Sequence, residues 1–222
     1  MLSGGLDSAV NLAIASDKTN VVLALTFDYG QRSSSREIEA AEGLASHYLT
    51  AHKTIALPWL KDSGSALSDT SKTIPNLDIK DLDDIRKTSV AAASVWVPNR
   101  NGVFVSISAS FAEMVGAELL VGGFNAEEGS TFPDNTKAFT EASSGMFKYS
   151  TKNHVRVTGY TIDMVKTEIA RKAFELGVPL GLIWSCYEGD DLMCGTCEPC
   201  NRLKRAFQET YPELLSYLRM AT

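Results

Sequence analysis

The stretch Ser3-Gly4-Gly5-Leu6-Asp7-Ser8, running into Ala9-Val10-Asn11-Leu12-Ala13-Ile14-Ala15-Ser16, decides the fold. Its second half reads as an alanine-rich helix and its first half as a glycine loop feeding that helix. Paired glycines permit close backbone approach. Exposed amides and the positive end of the helix then make a cradle for phosphate oxygens. Ser3 and Ser8 add hydroxyl donors, and Asp7 is suited to hold magnesium against the phosphates. The competing reading is an ordinary capping turn, since Asp7 or Ser8 is acceptable at an N-cap. The loop has no Walker lysine, which argues against a P-loop that transfers a γ-phosphate.

Outward from the loop, residues 20–27 are apolar on both implied faces and end at Asp28-Tyr29-Gly30, as a buried parallel strand entering a loop would. Helical spacing over 38–48, a short strand at 52–57, a helix from 101 to 115 and a strand at 119–122 continue the rhythm. A polar loop at 123–135, a strand at 155–158 and a helix at 164–176 ending at Gly177 complete it. The alternation argues an α/β class with a parallel sheet. Residues 59–92, rich in Ser, Asp and Thr, read as a peripheral excursion covering a site or a partner surface. A glycine loop in an open α/β sheet follows a strand, yet only Met1 and Leu2 precede this one, so the natural chain is expected to begin upstream. The expected organisation is an α/β domain over 1–182 and a metal-binding C-terminal subdomain over 183–222.

The chain has 222 residues, 44% hydrophobic, with a formal net charge of −6, and no apolar run reaches the roughly 18 residues that span a bilayer. Its acidity disfavours nonspecific nucleic-acid binding, and no stable nucleic-acid or membrane partner is expected. All four cysteines fall within one short segment and no targeting segment is evident, which fits a reducing cytoplasm. Their pattern is Cys186-x7-Cys194-x2-Cys197-x2-Cys200, with Gly195 and Pro199 in the tight turns and a helix expected over 201–211. Four soft thiolates without a vacant position suit a closed, structural zinc site. An iron–sulfur centre remains open on ligand type alone, as does a redox or merely buried cysteine group.

The six-residue loop resembles the pyrophosphate loop of ATP pyrophosphatases, which cleave ATP between the α and β phosphates. With Phe27-Asp28-Tyr29-Gly30-Gln31-Arg32, Val97-Pro98-Asn99-Arg100-Asn101, residues 122–135 and the four cysteines beside Trp184 and Ser185, nearly the whole chain resembles the 7-cyano-7-deazaguanine synthase family. The resemblance implies an adenine nucleotide α-hydrolase-like parallel-sheet fold, a homodimer, zinc at the cysteines, and magnesium with ATP. It implies 7-carboxy-7-deazaguanine and ammonia as the other substrates. A carboxylate is a poor electrophile; adenylation gives it AMP as a leaving group, ammonia gives the amide, and a second adenylation allows elimination to the nitrile.

On this resemblance the ATP site comprises Ser3, Gly4, Gly5, Leu6, Asp7, Ser8 and Arg32, with Asp7, Ser8 and Arg100 in catalysis. Arg32, Arg100, Glu128, Phe132, Asp134 and Asn135 are expected at the carboxylate substrate: the arginines on phosphate or carboxylate, Asp134 on the N–H groups of the deazaguanine edge. Tyr29 or Phe132 is the expected stacking ring. His47, His52 and His154 pair with no nucleophile or metal and read as ordinary polar residues. Ser33 stands where many bacterial members have His, and Phe132-Pro133-Asp134-Asn135 replaces a Tyr-Pro-Asp-Cys stretch, a wording closer to archaeal members. These departures leave open another carboxylate substrate, and, more distantly, a tRNA sulfur-transfer adenylase or a nucleotide-dependent interaction protein.

Overall fold

Gly4 fixes the relation between the loop and the rest of the chain. In the computed structural model, which describes residues 1–221, its φ is +81°, and a Cβ there would lie 2.7 Å from the Ala40 Cβ and 2.9 Å from the Glu37 carbonyl oxygen. Only glycine lets the loop turn left-handed and press against the helix that carries Glu37 and Ala40. The loop runs into α1 (Leu6–Lys18), then β1 (Ala24–Asp28), α2 (Ser34–His47) and β2 (His52–Ala56). Next come 3-10 turns at Pro58–Ser63 and Ile79–Asp81, α3 (Ile85–Val95), α4 (Arg100–Met114) and β3 (Leu119–Val121). The chain continues through α5 (Ala126–Gly129), a 3-10 turn at Pro133–Asn135, α6 (Lys137–Ser150), β4 (Arg156–Thr158), α7 (Lys166–Glu175) and α8 (Glu198–Gln208).

The α/β class with parallel strands is observed, divided into two pairs. β1 pairs with β2 in the register Ala24↔His52 to Asp28↔Ala56, and β3 with β4 from Leu119↔Arg156 to Val121↔Thr158. Met1 and Leu2 link the pairs: the Leu2 N–H donates to Leu25 O at 2.8 Å, and the Met1 amine to Val121 O at 2.7 Å. An apolar cavity of about 290 Å³, walled by Leu12, Leu23, Leu25, Phe111 and Leu120, lies between β1 and β3.

The main core joins Leu6 and Val10 of α1, Leu44 of α2, Ile169 of α7, Ile183 and Trp184, and Leu203 and Phe207 of α8. Residues beyond 183 therefore pack into the same core as the glycine loop. Phe207 is fully buried, so truncation to Ala would cost about 3–5 kcal/mol and loosen the cysteine segment with it. A second cluster, with Val105, Leu120, Phe124, Phe147 and Val157, fastens α4 and α6 to β3 and β4.

Two stretches differ from expectation. Residues 59–92 bury Leu60, Ala66, Leu67, Ile74 and Leu82, and the segment is bound to the loop that follows β1 by Arg32 N–H to Leu67 O at 2.8 Å. Its Ser and Asp content hid the spaced apolar anchors. Helix α6 was not expected, because the weak helix formers Thr140, Ser143, Ser144 and Gly145 mask the helical spacing of Ala138, Phe139, Ala142, Met146 and Phe147. It forms because Thr136 Oγ1 accepts the Phe139 N–H at 3.2 Å and Phe147 is buried against the second sheet.

Candidate active site

The glycine loop is not a capping turn. The N-cap of α1 is Gly5, which contributes no side-chain cap, and Asp7 lies inside the first turn, where the helix dipole favours a negative charge. Three loop amides rest on neutral hydroxyls at long range. Ser3 N–H reaches Ser8 Oγ at 3.2 Å, Gly5 N–H reaches Ser3 Oγ at 3.4 Å and Leu6 N–H reaches Ser185 Oγ at 3.4 Å. Bonds of this length to neutral acceptors are weak, and a charged phosphate oxygen would supersede them. Gly123 closes the back of the loop: a Cβ there would meet Ser8 N at 2.9 Å.

Asp7 is the centre of a buried ionic cluster. Its Oδ2 accepts from Lys166 Nζ at 2.6 Å and from Asn125 Nδ2 at 3.3 Å, while Oδ1 is buried with no hydrogen-bond partner. Lys166 also lies 3.6 Å from Glu128. Asn125, wholly buried, caps α5 by accepting the Glu128 N–H at 2.9 Å and so sets Glu128 against Asp7. Burial pushes the Asp7 carboxyl up while Lys166 pulls it back. Burial likewise works against the Lys166 charge, which Asp7 and Glu128 more than restore. An orphaned carboxylate oxygen beside a second carboxylate fits a hard divalent cation such as magnesium.

Three cavities meet at this cluster, each lined in part by Glu128 and Tyr187. The first, about 230 Å³, is walled by Ser3, Asp7, Ser8, Thr26, Tyr29, Glu37 and Arg100. The second, about 160 Å³, is walled by Trp96, Arg100, Phe132, Asp134, Asn135 and Lys166. The third, about 150 Å³, lies between the loop and the cysteine segment, with Gly5, Asp7, Lys166 and Ser185. Arg100 spans the first two, donating to Tyr29 Oη at 3.3 Å. Burial works against its charge, but Tyr29 and Asp134 sustain it, and the guanidinium stays protonated. Burial raises the Asp134 carboxyl, opposed by Arg100. Trp96 and Phe132 lie nearly parallel, 12° apart with centroids at 6.1 Å, and give the second cavity an aromatic wall.

The structure brings Ser3, Gly5, Leu6, Asp7, Ser8, Arg100, Glu128, Phe132, Asp134 and Asn135 onto these cavity walls, with Gly4 supporting them from behind. Arg32 stands elsewhere. Its guanidinium donates to Glu188 at 3.3 Å, to Asp69 O at 3.0 Å and to Lys72 O, tying residues 69–72 to the segment between Cys186 and Cys194.

Cys186, Cys194, Cys197 and Cys200 place their four sulfurs within 4.8 Å of one another. The Cys186–Cys197 and Cys194–Cys200 separations are 3.8 and 4.0 Å. A tetrahedron with zinc–sulfur bonds of about 2.3 Å has edges of about 3.8 Å, so the cluster fits zinc. The thiols cannot ionise independently: hydrogen bonds from Cys197 and Cys200 hold Cys186 far down, and the same contacts push those two up. A central cation is what lets all four become thiolates. Helix α8, which carries Cys200, is joined to the ionic cluster through Arg202 to Glu127 Oε2 at 2.8 Å and Glu127 Oε1 to the Lys166 N–H at 2.7 Å.

Lys166, Trp96 and Tyr187 were not among the expected site residues, and Asn125 and Ser185 entered only as parts of the motifs that carry the resemblance. Two had signals. Asn125 precedes Ala-Glu-Glu, an N-cap pattern, and Lys166 begins a helix, where a cation opposes the dipole and needs another reason to be there.

The family described as "Queuosine biosynthesis protein QueC" matches residues 1–211. The 7-cyano-7-deazaguanine synthase of Desulforamulus reducens is 50% identical over 93% of this chain and 91% of its own length. That of Pelotomaculum thermopropionicum is 48% identical over 93% and 94%, and that of Methanosarcina mazei 43% identical over 94% and 92%.

Proposed function

The chain belongs to the QueC family of queuosine biosynthesis proteins, and on that premise we propose that the first cavity receives ATP and the second the carboxylate substrate. Its reaction is the ATP-dependent conversion of 7-carboxy-7-deazaguanine to 7-cyano-7-deazaguanine, a precursor of modified tRNA bases. The observation that carries the assignment of sites is Asp7, whose unpartnered Oδ1 lies at the junction of the cavities. Asp7 would hold magnesium there together with ATP, and the ion would supply positive charge against the departing pyrophosphate.

The remaining roles follow from chemistry and position. Loop amides from Ser3, Gly5 and Leu6 exchange their weak hydroxyl contacts for phosphate oxygens. Lys166, the buried cation shared by the second and third cavities, faces the charge that develops on the phosphates. Arg100 orients the substrate carboxylate for attack on the α-phosphate. Asp134 accepts from the N–H edge of the deazaguanine, with Glu128 and Asn135 beside it, and Trp96 and Phe132 cover the ring. Arg32 acts on the site through the segment it anchors. The cysteine cluster, coupled through Glu127 and Arg202, holds the third wall in place. Four thiolates committed to a metal suit a reducing compartment, and the cytoplasm is the proposed location.

The experiment is incubation with ATP, magnesium, ammonium and 7-carboxy-7-deazaguanine, with mass analysis of purine products. Nitrile accompanied by two AMP per product is expected. AMP release independent of the carboxylate would reject the reading.

A further inference from the structure

A cavity that must hold nucleotide phosphates and a substrate carboxylate should not contain an unpaired acid, yet Glu37 lines the first and third cavities. Its Oε1 accepts from Ser33 Oγ at 2.6 Å and its Oε2 from Gln31 Nε2 at 3.0 Å. Both donors are neutral and themselves buried. Among the described residues no Lys, Arg or His forms a salt bridge with it. Glu37 is also held firmly. Gln31 is oriented by the Tyr29 N–H at 2.9 Å and by Phe27 O at 3.1 Å, and helix α2 packs against Gly4, whose missing Cβ leaves room for the Glu37 carbonyl. Adenylation has no use for this side chain, and an anion there opposes ATP binding by simple Coulomb repulsion. What it would attract is a small cation.

The third substrate is such a cation. Ammonia is mostly ammonium at neutral pH, where its lone pair is bound to a proton and cannot attack. Resting on the reading of the site given above, we propose that Glu37 is the ammonium-binding group and the proton acceptor of C–N bond formation. One N–H proton passes from ammonium to the Glu37 carboxylate, which frees the nitrogen lone pair. That pair forms the C–N bond at the acyl carbon. The C–O bond to AMP breaks with its electrons on the phosphate oxygen, and the second proton leaves to water. A carboxylate has about four lone-pair positions, so two neutral donors leave room for ammonium N–H groups. Burial pushes the Glu37 carboxyl up, which makes it the stronger base, while Ser33, Gln31 and Arg100 oppose the shift. The groups that face it are Gln31 and Ser33 of the preceding loop, Asp28 at the end of β1, the Tyr29 phenol, Arg100 on α4, and Asp7 across the cavity.

The test uses Glu37→Gln, which keeps the size and hydrogen bonding of the side chain. Carboxylate-dependent exchange of labelled pyrophosphate into ATP, measured without ammonium, reports adenylation alone and should stay within about threefold of wild type. Amide and nitrile formation at neutral pH and low ammonium should fall about 100-fold or more, a general-base effect of ordinary size. At fixed total ammonium, activity should recover as the pH is raised. Hydroxylamine, largely unprotonated at neutral pH, should give hydroxamate at near wild-type rate. Glu37→Asp should recover part of the ammonium reaction and guards against a folding defect. An unchanged apparent KM for ammonium in Glu37→Gln, or failure of hydroxylamine to rescue, overturns the proposal. Loss of exchange in parallel with amide formation does so as well, by moving Glu37 into adenylation. Absence of carboxylate-dependent exchange in the wild type would instead overturn the underlying assignment of the site.

Discussion

The Asp7–Lys166 pair should separate stability from catalysis in a double-mutant cycle. Both side chains are largely buried and 2.6 Å apart. Removing one partner of such a pair costs up to about 3–5 kcal/mol, because the other charge stays buried. Asp7→Asn leaves Lys166 with Glu128 at 3.6 Å, so about 2 kcal/mol is expected. Lys166→Met leaves Asp7, Glu128 and Glu127 without their shared cation, for about 3 kcal/mol. The double variant removes both charges and should lose only about 2 kcal/mol, a coupling of roughly 3 kcal/mol. Catalysis should follow another pattern. All three variants should make AMP at least about 100-fold more slowly at saturating substrate, or about 2.7 kcal/mol of lost transition-state stabilisation, with no recovery in the double. Urea unfolding with metal content as control gives the first set, and AMP, pyrophosphate and nitrile over a magnesium titration the second. Near wild-type AMP formation by folded Asp7→Asn, or activity returning with stability in the double variant, would make the pair a structural bridge and refute the catalytic reasoning.

Further outcomes are expected. Cys197→Ala should lose its zinc and at least about 3 kcal/mol, or roughly 6–12 °C in Tm, measured by metal analysis and calorimetry; full zinc content with unchanged melting would contradict the cluster. Asp134→Asn should raise the KM for the carboxydeazaguanine about 10–100-fold with a smaller effect on kcat, as expected for loss of a charged hydrogen-bond acceptor. Glu37 binds its proton more tightly when folded, so its buried charge destabilises the protein as pH rises from the ordinary glutamate value through the raised one. Glu37→Gln should therefore unfold at higher urea than wild type near neutrality, the difference vanishing below about pH 4. We propose a homodimer, for which exposed Met114 and Val115 offer apolar contact surface, and sedimentation should give twice the chain mass; a monomer across micromolar concentrations would reject it.

The sequence showed the parts of the site that local chemistry dictates. The glycine loop and the cysteine spacing are short patterns whose residue types have few other uses, whereas Arg100 was expected from the family resemblance. The strand at 24–28 was legible from its apolar run, and those at 52–56, 119–121 and 156–158 from their place in the alternation of elements. What escaped depends on distance in the chain. Lys166 meets Asp7 from 159 residues away, and Trp96 meets Phe132 only because α3 and the 3-10 turn at Pro133–Asn135 converge. Arg32 was read as a site residue because it follows the Phe27–Gln31 motif, yet carbonyls from Asp69 and Lys72 and the Glu188 carboxylate draw it aside. The division of the strands into two pairs, joined by Met1 and Leu2, likewise depends on pairing partners that periodicity does not reveal.

Successive adenylation of the two oxygens on one carbon is the central claim, and oxygen labelling tests it directly. With both carboxylate oxygens of 7-carboxy-7-deazaguanine carrying oxygen-18, the first AMP should leave with one labelled oxygen. The amide should retain the other and pass it to the second AMP. Mass analysis should thus find one label in each of two AMP molecules and none in the nitrile. Label released to water, or found in pyrophosphate instead of AMP, would contradict the account.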